Sequence, residues 1–138
     1  MRKRTRAREF ALQVLYQVDI RGDDPDGSLS DFWQTHSEDN ISDEMKDFTA
    51  QLVKGVLKNM AVIDKKISHY ATNWQLERMA VVDRNVLRIG CFELLYREDI
   101  PPKVAINEAV ELAKKYSDLE AGKFVNAILD KVKEERPK

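Results

Sequence analysis

The sequence predicts an all-α protein of about seven helices, gathered into a single compact, bundle-like domain over residues 1–138. Three observations carry that prediction. Apolar residues recur at helical spacing along most of the chain, no stretch alternates convincingly with period two, and Gly and Pro gather at a few points that cut the pattern into helix-sized lengths. With 138 residues, 43% of them hydrophobic, the chain can bury a core of its own without disulfide or metal.

The elements follow in order. Ala7, Phe10, Ala11, Val14, Leu15 and Val18 form the stripe of a first amphipathic helix, which the preceding basic residues either extend backwards or fray from. The stretch "RGDDPDGS" breaks it, and Leu29, Phe32 and Trp33 then suggest a short helix packed on the body. In "ISDEMKDFTAQLVKGVLKNM" Ser42 is the expected N-cap, with Asp43 and Glu44 where the helix dipole favours them. A shorter helix runs through Val62, Ile63, Ile67 and Tyr70. "LERMAVVDRNVLRIGCFELLYR" supplies two further pieces, with Asp83 able to cap the second. "EDIPPK" stops the chain, because tandem prolines exclude helix before them. "VAINEAVELAKKY" and "GKFVNAILDKVKEE" are the last two helices.

Charge is distributed unevenly. Five of the first eight residues, Arg2, Lys3, Arg4, Arg6 and Arg8, are basic, although the formal net charge is -1. The remaining residues hold 18 basic against 24 acidic side chains, and Asp19 to Asp47 alone hold ten acids and two bases. A basic end on an acidic body points to a local polyanion contact. The single cysteine, Cys91, and the absence of an apolar segment after the basic start lead to an expected cytoplasmic location. No run approaches the roughly 20 apolar residues of a membrane span.

Catalytic signatures are missing. His36 and His69 belong to no zinc-spaced pattern, and there is no GxGxxG, Walker loop or GxSxG, so no metal, cofactor or catalytic residue is expected. The carboxylate pairs sit at solvated ends without an apolar pocket to raise a pKa. The chain reads as a binding protein. On a helical wheel Tyr16 lies roughly opposite the first helix's core stripe, which leaves it either facing outward to stack a base or forming a second apolar strip with Leu12. Phe124 flanks the last stripe beside Lys123, and Tyr116 follows Lys114 and Lys115. Aromatics interleaved with cations suit single-stranded RNA, whose phosphates attract charge and whose unstacked bases attract ring faces.

The Arg-rich start into "AREFALQVLYQ", and then "KVAINEAVELAKKY" followed closely by "KFVNAILDK", resemble the NusB family of bacterial transcription antitermination factors from end to end. The resemblance implies an all-helical protein that binds boxA-type leader RNA together with the small-subunit ribosomal protein NusE. Through that complex it would join other Nus factors and RNA polymerase, so that ribosomal RNA operons are read through. It also implies an RNA face of Arg2, Lys3, Arg4, Arg6, Arg8, Tyr16, Tyr116, Glu120, Lys123 and Phe124. Glu120 falls at a loop position, where an acid would either accept a hydrogen bond from a base or temper affinity. Gly122 stands where the family can carry a polar side chain. Tyr16 and Asp83 match the partner-facing side, with a simple helix cap as the other reading of Asp83. The resemblance leaves self-association open.

Two rival readings remain open. The same fold could serve as the RNA-binding domain of a ribosomal RNA cytosine methyltransferase, which would need a cofactor domain that no glycine-rich strand-loop-helix here provides. A helical interaction module without RNA binding would leave the N-terminal arginines unexplained.

Overall fold

The computed structural model describes residues 2–72 and 75–137, and every regular element among them is helical. The helices are α1 (Lys3–Arg21), α2 (Pro25–Thr35), α3 (Asp43–Lys58), α4 (Met60–Tyr70), α5 (Val81–Tyr96), α6 (Pro102–Tyr116) and α7 (Leu119–Val132), with single 3-10 turns at Leu76–Arg78 and Lys133–Glu135. The seven-helix expectation therefore holds. The chain divides into two compact units, Met1–Gly55 and Val56–Lys138. None of the helices among the described residues is long and apolar enough to cross a membrane.

In the first unit the basic residues extend α1 backwards, and Ala7, Phe10, Ala11, Val14 and Leu15 are all buried. Gly22 ends α1 with φ +69, a left-handed conformation that a side chain would strain, and its N–H donates to the Val18 carbonyl at 2.8 Å. Asp24 then caps α2, accepting from the Gly27 N–H at 3.0 Å, while Pro25 occupies the first helical position. Phe10 of α1 meets Phe32 and Trp33 of α2 edge-on at 5.3 and 5.9 Å, which fixes the pair of helices. Ser42 caps α3 as expected, its Oγ accepting from the Met45 N–H at 3.2 Å.

In the second unit α5 is the central helix, with Asn85 through Leu94 all buried, and it packs against α4, α6 and α7. Gly90 is the closest approach. A Cβ there would lie 2.5 Å from Leu129 Cδ1 and 3.2 Å from Ala109 Cβ, so α7 and α6 both depend on its missing side chain. Cys91 beside it is buried, and burial pushes its thiol up to about 12, so it stays protonated at neutral pH. Arg88 reaches Asp64 on α4 through two hydrogen bonds of 2.8 and 3.0 Å and donates to Asn85 Oδ1 at 3.1 Å. The chain end is tied down twice. Glu135 accepts from Lys66 and from the Tyr70 hydroxyl on α4, and Arg136 donates to the Arg97 and Ile100 carbonyls at 2.7 Å each.

Three boundaries differ from the sequence reading. Asp83 is the third residue of α5 and not its cap, since Ala80 holds the N-cap position without a side-chain bond. Helix α6 begins at Pro102, whose missing N–H costs nothing in a first turn. Helix α7 begins three residues before Gly122, because Asp118 caps it by accepting from the Ala121 N–H at 2.7 Å. Glu120 thereby moves from a loop into the first turn of a helix.

Gly90→Ala should lower stability by about 1–2 kcal/mol, because overpacking against buried Leu129 outweighs the gain in helix propensity. Chemical denaturation checks this, and combining it with Leu129→Ala should cost less than the two separate losses added together. Hydrogen bonds from Lys66 and Tyr70 hold the Glu135 carboxyl below its ordinary 4.5. A depressed carboxyl stabilises the fold fully above that ordinary value and loses its contribution as pH falls through the lower, folded one. Urea midpoints of wild type and Glu135→Gln should therefore differ at neutral pH and converge below pH 4.5.

Candidate nucleic-acid interface

The first unit carries the basic set. Arg2 is the N-cap of α1, extended at φ -67 and ψ 144 and without a side-chain capping bond, and no acid lies in the first turn. Arg2, Lys3 and Arg4 are exposed and Arg6 is half-buried. Arg8 departs from the expectation for an RNA-facing arginine: it is 2% exposed, with its guanidinium 5.3 Å from the centre of the Phe48 ring. The helix explains why, since Arg8 lies one turn beyond Arg4 and on the side that meets α3. The Arg4 guanidinium lies over the same ring at 4.5 Å, Arg6 lies over Phe10 at 5.2 Å, and Lys3 pairs with Glu44 at 3.6 Å. Tyr16 is 39% exposed whereas Leu12 is buried, so the two do not share one covered strip and Tyr16 faces outward.

The second unit brings Asp83, Glu120 and Phe124 together around one cleft of about 350 Å³, whose walls also include Arg78, Met79 and Ala80. Asp83 Oδ1 is buried there and accepts no hydrogen bond from the protein. A buried acceptor without a donor is costly, and a donor brought by a ligand or partner would relieve it. Arg78 escaped the sequence reading because it lies in a 3-10 turn, where helical periodicity gives no signal. Tyr116 ends α6 as expected, 37% exposed, with the Lys115 ammonium 5.4 Å from its ring centre. Phe124 is half-buried, as its position beside the core stripe implied.

Across the α6–α7 corner, Gly122 has a definite use. A Cβ at Gly122 would lie 2.9 Å from Lys114 Cγ, with Cε and Cδ also within 4 Å, so the Lys114 stem lies across the bare backbone of α7 where another residue would place its own side chain. Its ammonium meets Glu111 at 3.4 Å. Lys123 is paired with Glu120 at 3.5 Å, both side chains being more than three-quarters exposed. Such a pair is weak, and a phosphate can displace it. The arrangement offers cations, ring faces and a buried acceptor. Among the described residues no group of three His, Cys, Asp or Glu side chains is placed to hold a metal.

Because Tyr16 faces outward, Tyr16→Ala should change stability by no more than about 0.5 kcal/mol. Phe10→Ala on the opposite face of α1 should cost about 3–5 kcal/mol. Thermal unfolding of the two variants checks the contrast, and a large loss for Tyr16→Ala would make that ring a core element.

Comparison with known proteins agrees with the all-helical fold. The NusB family model matches residues 5–134. The transcription antitermination protein NusB of Anaeromyxobacter dehalogenans (strain 2CP-1 / ATCC BAA-258) is 52% identical over 130 residues, covering 94% of this chain and 89% of that protein. The NusB protein of Thermodesulfovibrio yellowstonii is 42% identical over 141 residues, covering 96% and 93%. Among solved structures, T. maritima NusB superposes with a TM-score of 0.88 at 37% identity, over 98% of this chain and 93% of that one. A chain from the structure of the antitermination factors NusB and NusE in complex with dsRNA gives 0.84 at 33% identity, over 98% of both. With a family model spanning nearly its whole length and relatives this similar across most of theirs, the chain belongs to the NusB family.

Proposed function

We propose that this protein is a transcription antitermination factor. It binds single-stranded boxA-type leader RNA jointly with the ribosomal protein NusE, and through that complex with other Nus factors and RNA polymerase it supports readthrough of ribosomal RNA operons. It acts as a single RNA-binding domain in the cytoplasm, without cofactor or catalytic step. The observation that carries this reading is the first turn of α1, where Arg2, Lys3, Arg4 and Arg6 crowd a helix start that has no acidic residue of its own. Cations and peptide N–H groups at one helix end attract phosphate. Tyr16, Tyr116 and Phe124 offer ring faces to bases, and Lys123 offers a further phosphate contact. Asp83 belongs to the partner side, where a guanidinium or ammonium from NusE would satisfy its buried Oδ1.

Four available cations imply a slope of log K against log salt of about -2 to -3, at roughly 0.7 per phosphate. Converting Arg2, Lys3, Arg4 and Arg6 to Gln should flatten it while leaving the fold intact. Truncation through Arg8 would instead remove a buried residue. The titration should compare boxA-type single strands, a scrambled strand and duplex RNA, each with and without NusE. Equal affinity for all three RNAs, or no gain on adding NusE, would refute the reading. Glu120 neutralises Lys123 where RNA would approach, so Glu120→Gln should tighten RNA binding by about two- to fivefold, the range of an exposed ion pair. Weaker binding would mean that Glu120 accepts a hydrogen bond from a base.

A further inference from the structure

The start of α1 is an unfavourable place for a helix. Its N-cap Arg2 supplies no side-chain acceptor, no acid balances the dipole, and positions 2, 3, 4 and 6 add like charges at the positive end. The turn is nonetheless formed, with the Arg6 N–H donating to the Arg2 carbonyl at 3.1 Å. Support comes from α3. Glu44 pairs with Lys3, the Thr49 hydroxyl donates chiefly to the Met45 carbonyl at 2.8 Å and lies 3.3 Å from the Ala7 carbonyl, and between them the Phe48 ring lies under the Arg4 guanidinium at 4.5 Å and near that of Arg8 at 5.3 Å. Phe48 is 4% exposed and cannot meet RNA itself.

We infer that Phe48 is a positioning residue for RNA binding: its ring holds Arg4, and with it the basic first turn of α1, in the geometry that meets phosphate. The chemistry suits the task. A ring engages the flat face of a guanidinium, whereas the N–H donors that grip phosphate lie in its plane, so stacking and phosphate binding use different parts of one group. Lysine in place of Arg4 would lack that division. An arginine held before RNA arrives also loses less conformational freedom on binding.

This inference rests on the proposed RNA-binding role of α1, and the test separates the two. Wild type, Phe48→Leu, Phe48→Tyr, Arg4→Gln and the Phe48→Leu/Arg4→Gln double variant are titrated with single-stranded boxA-type RNA across a salt series. Phe48→Leu should weaken binding by about three- to tenfold, the range of a cation–π contact, with the salt slope kept because the same phosphates are met. Phe48→Tyr should bind as wild type. In the Arg4→Gln background Phe48→Leu should add nothing, because the ring acts through Arg4. An equal loss in that background, or wild-type affinity for Phe48→Leu, overturns the inference. Hydrogen exchange of the Arg6 amide without RNA reads the ordering directly: it should quicken in Phe48→Leu, and unchanged exchange also overturns the inference. If wild type shows no salt-dependent RNA binding, the reading of α1 fails while the exchange result still decides whether Phe48 orders the turn. Should Phe48→Leu fail to fold, Phe48→Met serves in its place.

Discussion

Like charge at the positive end of a helix is the constraint around which the first unit is arranged. Five cations, at the N-cap and in the first two turns of α1, repel one another and the helix dipole, so the turn is not self-sustaining. The remedy lies in α3, which presents an acid to Lys3, a ring to Arg4 and Arg8, and a hydroxyl to the Ala7 carbonyl. Each contact is worth little alone. Together they keep the basic first turn in place, with a single acid set against its cations. The ten acids between Asp19 and Asp47 belong to the same unit, so its positive charge is concentrated at the start of α1.

The second unit is organised by close packing. Gly90 lets α6 and α7 approach α5 so closely that no Cβ fits, and Leu129 and Ala109 occupy the space. Next to this apolar contact α5 carries Arg88, a charge that is tolerated because Asp64 meets it through two hydrogen bonds and Asn85 through a third. Asp83, one turn earlier, is treated differently. One of its oxygens is buried with no donor, at the wall of a cleft that also contains Phe124 and Glu120. Asp64 and Glu135 find their donors within the unit, whereas the buried Asp83 oxygen has none there. That contrast supports its assignment to the partner side.

The corner between α6 and α7 shows how one glycine redirects a lysine. The bare backbone at Gly122 receives the Lys114 stem, and the neighbouring Lys123 leans on Glu120. Both lysines are thus held by exposed carboxylates one helical turn away. Exposed pairs of this kind are easily exchanged for phosphate. On the proposed function, the corner would therefore meet RNA with cations that must first leave their carboxylates.

The sequence by itself determined the all-helical class, the order of the helices and the Ser42 cap, because amphipathic period, Ser42, Gly22 and the tandem prolines act over a few neighbouring residues. It also located the basic end, which follows from position on a single helix, but left Tyr16 between an outward face and a covered strip with Leu12, which the burial of Leu12 alone decided. Only the tertiary structure decided which members of the basic end are available. Arg4 and Arg8 are the same residue type one turn apart, yet Phe48, 40 or more positions later, leaves one exposed and covers the other. The buried oxygen of Asp83, the Lys114 stem across Gly122 and the Arg78 wall of the cleft have the same origin. Each depends on what a distant segment places beside it, and helical periodicity carries no information about that.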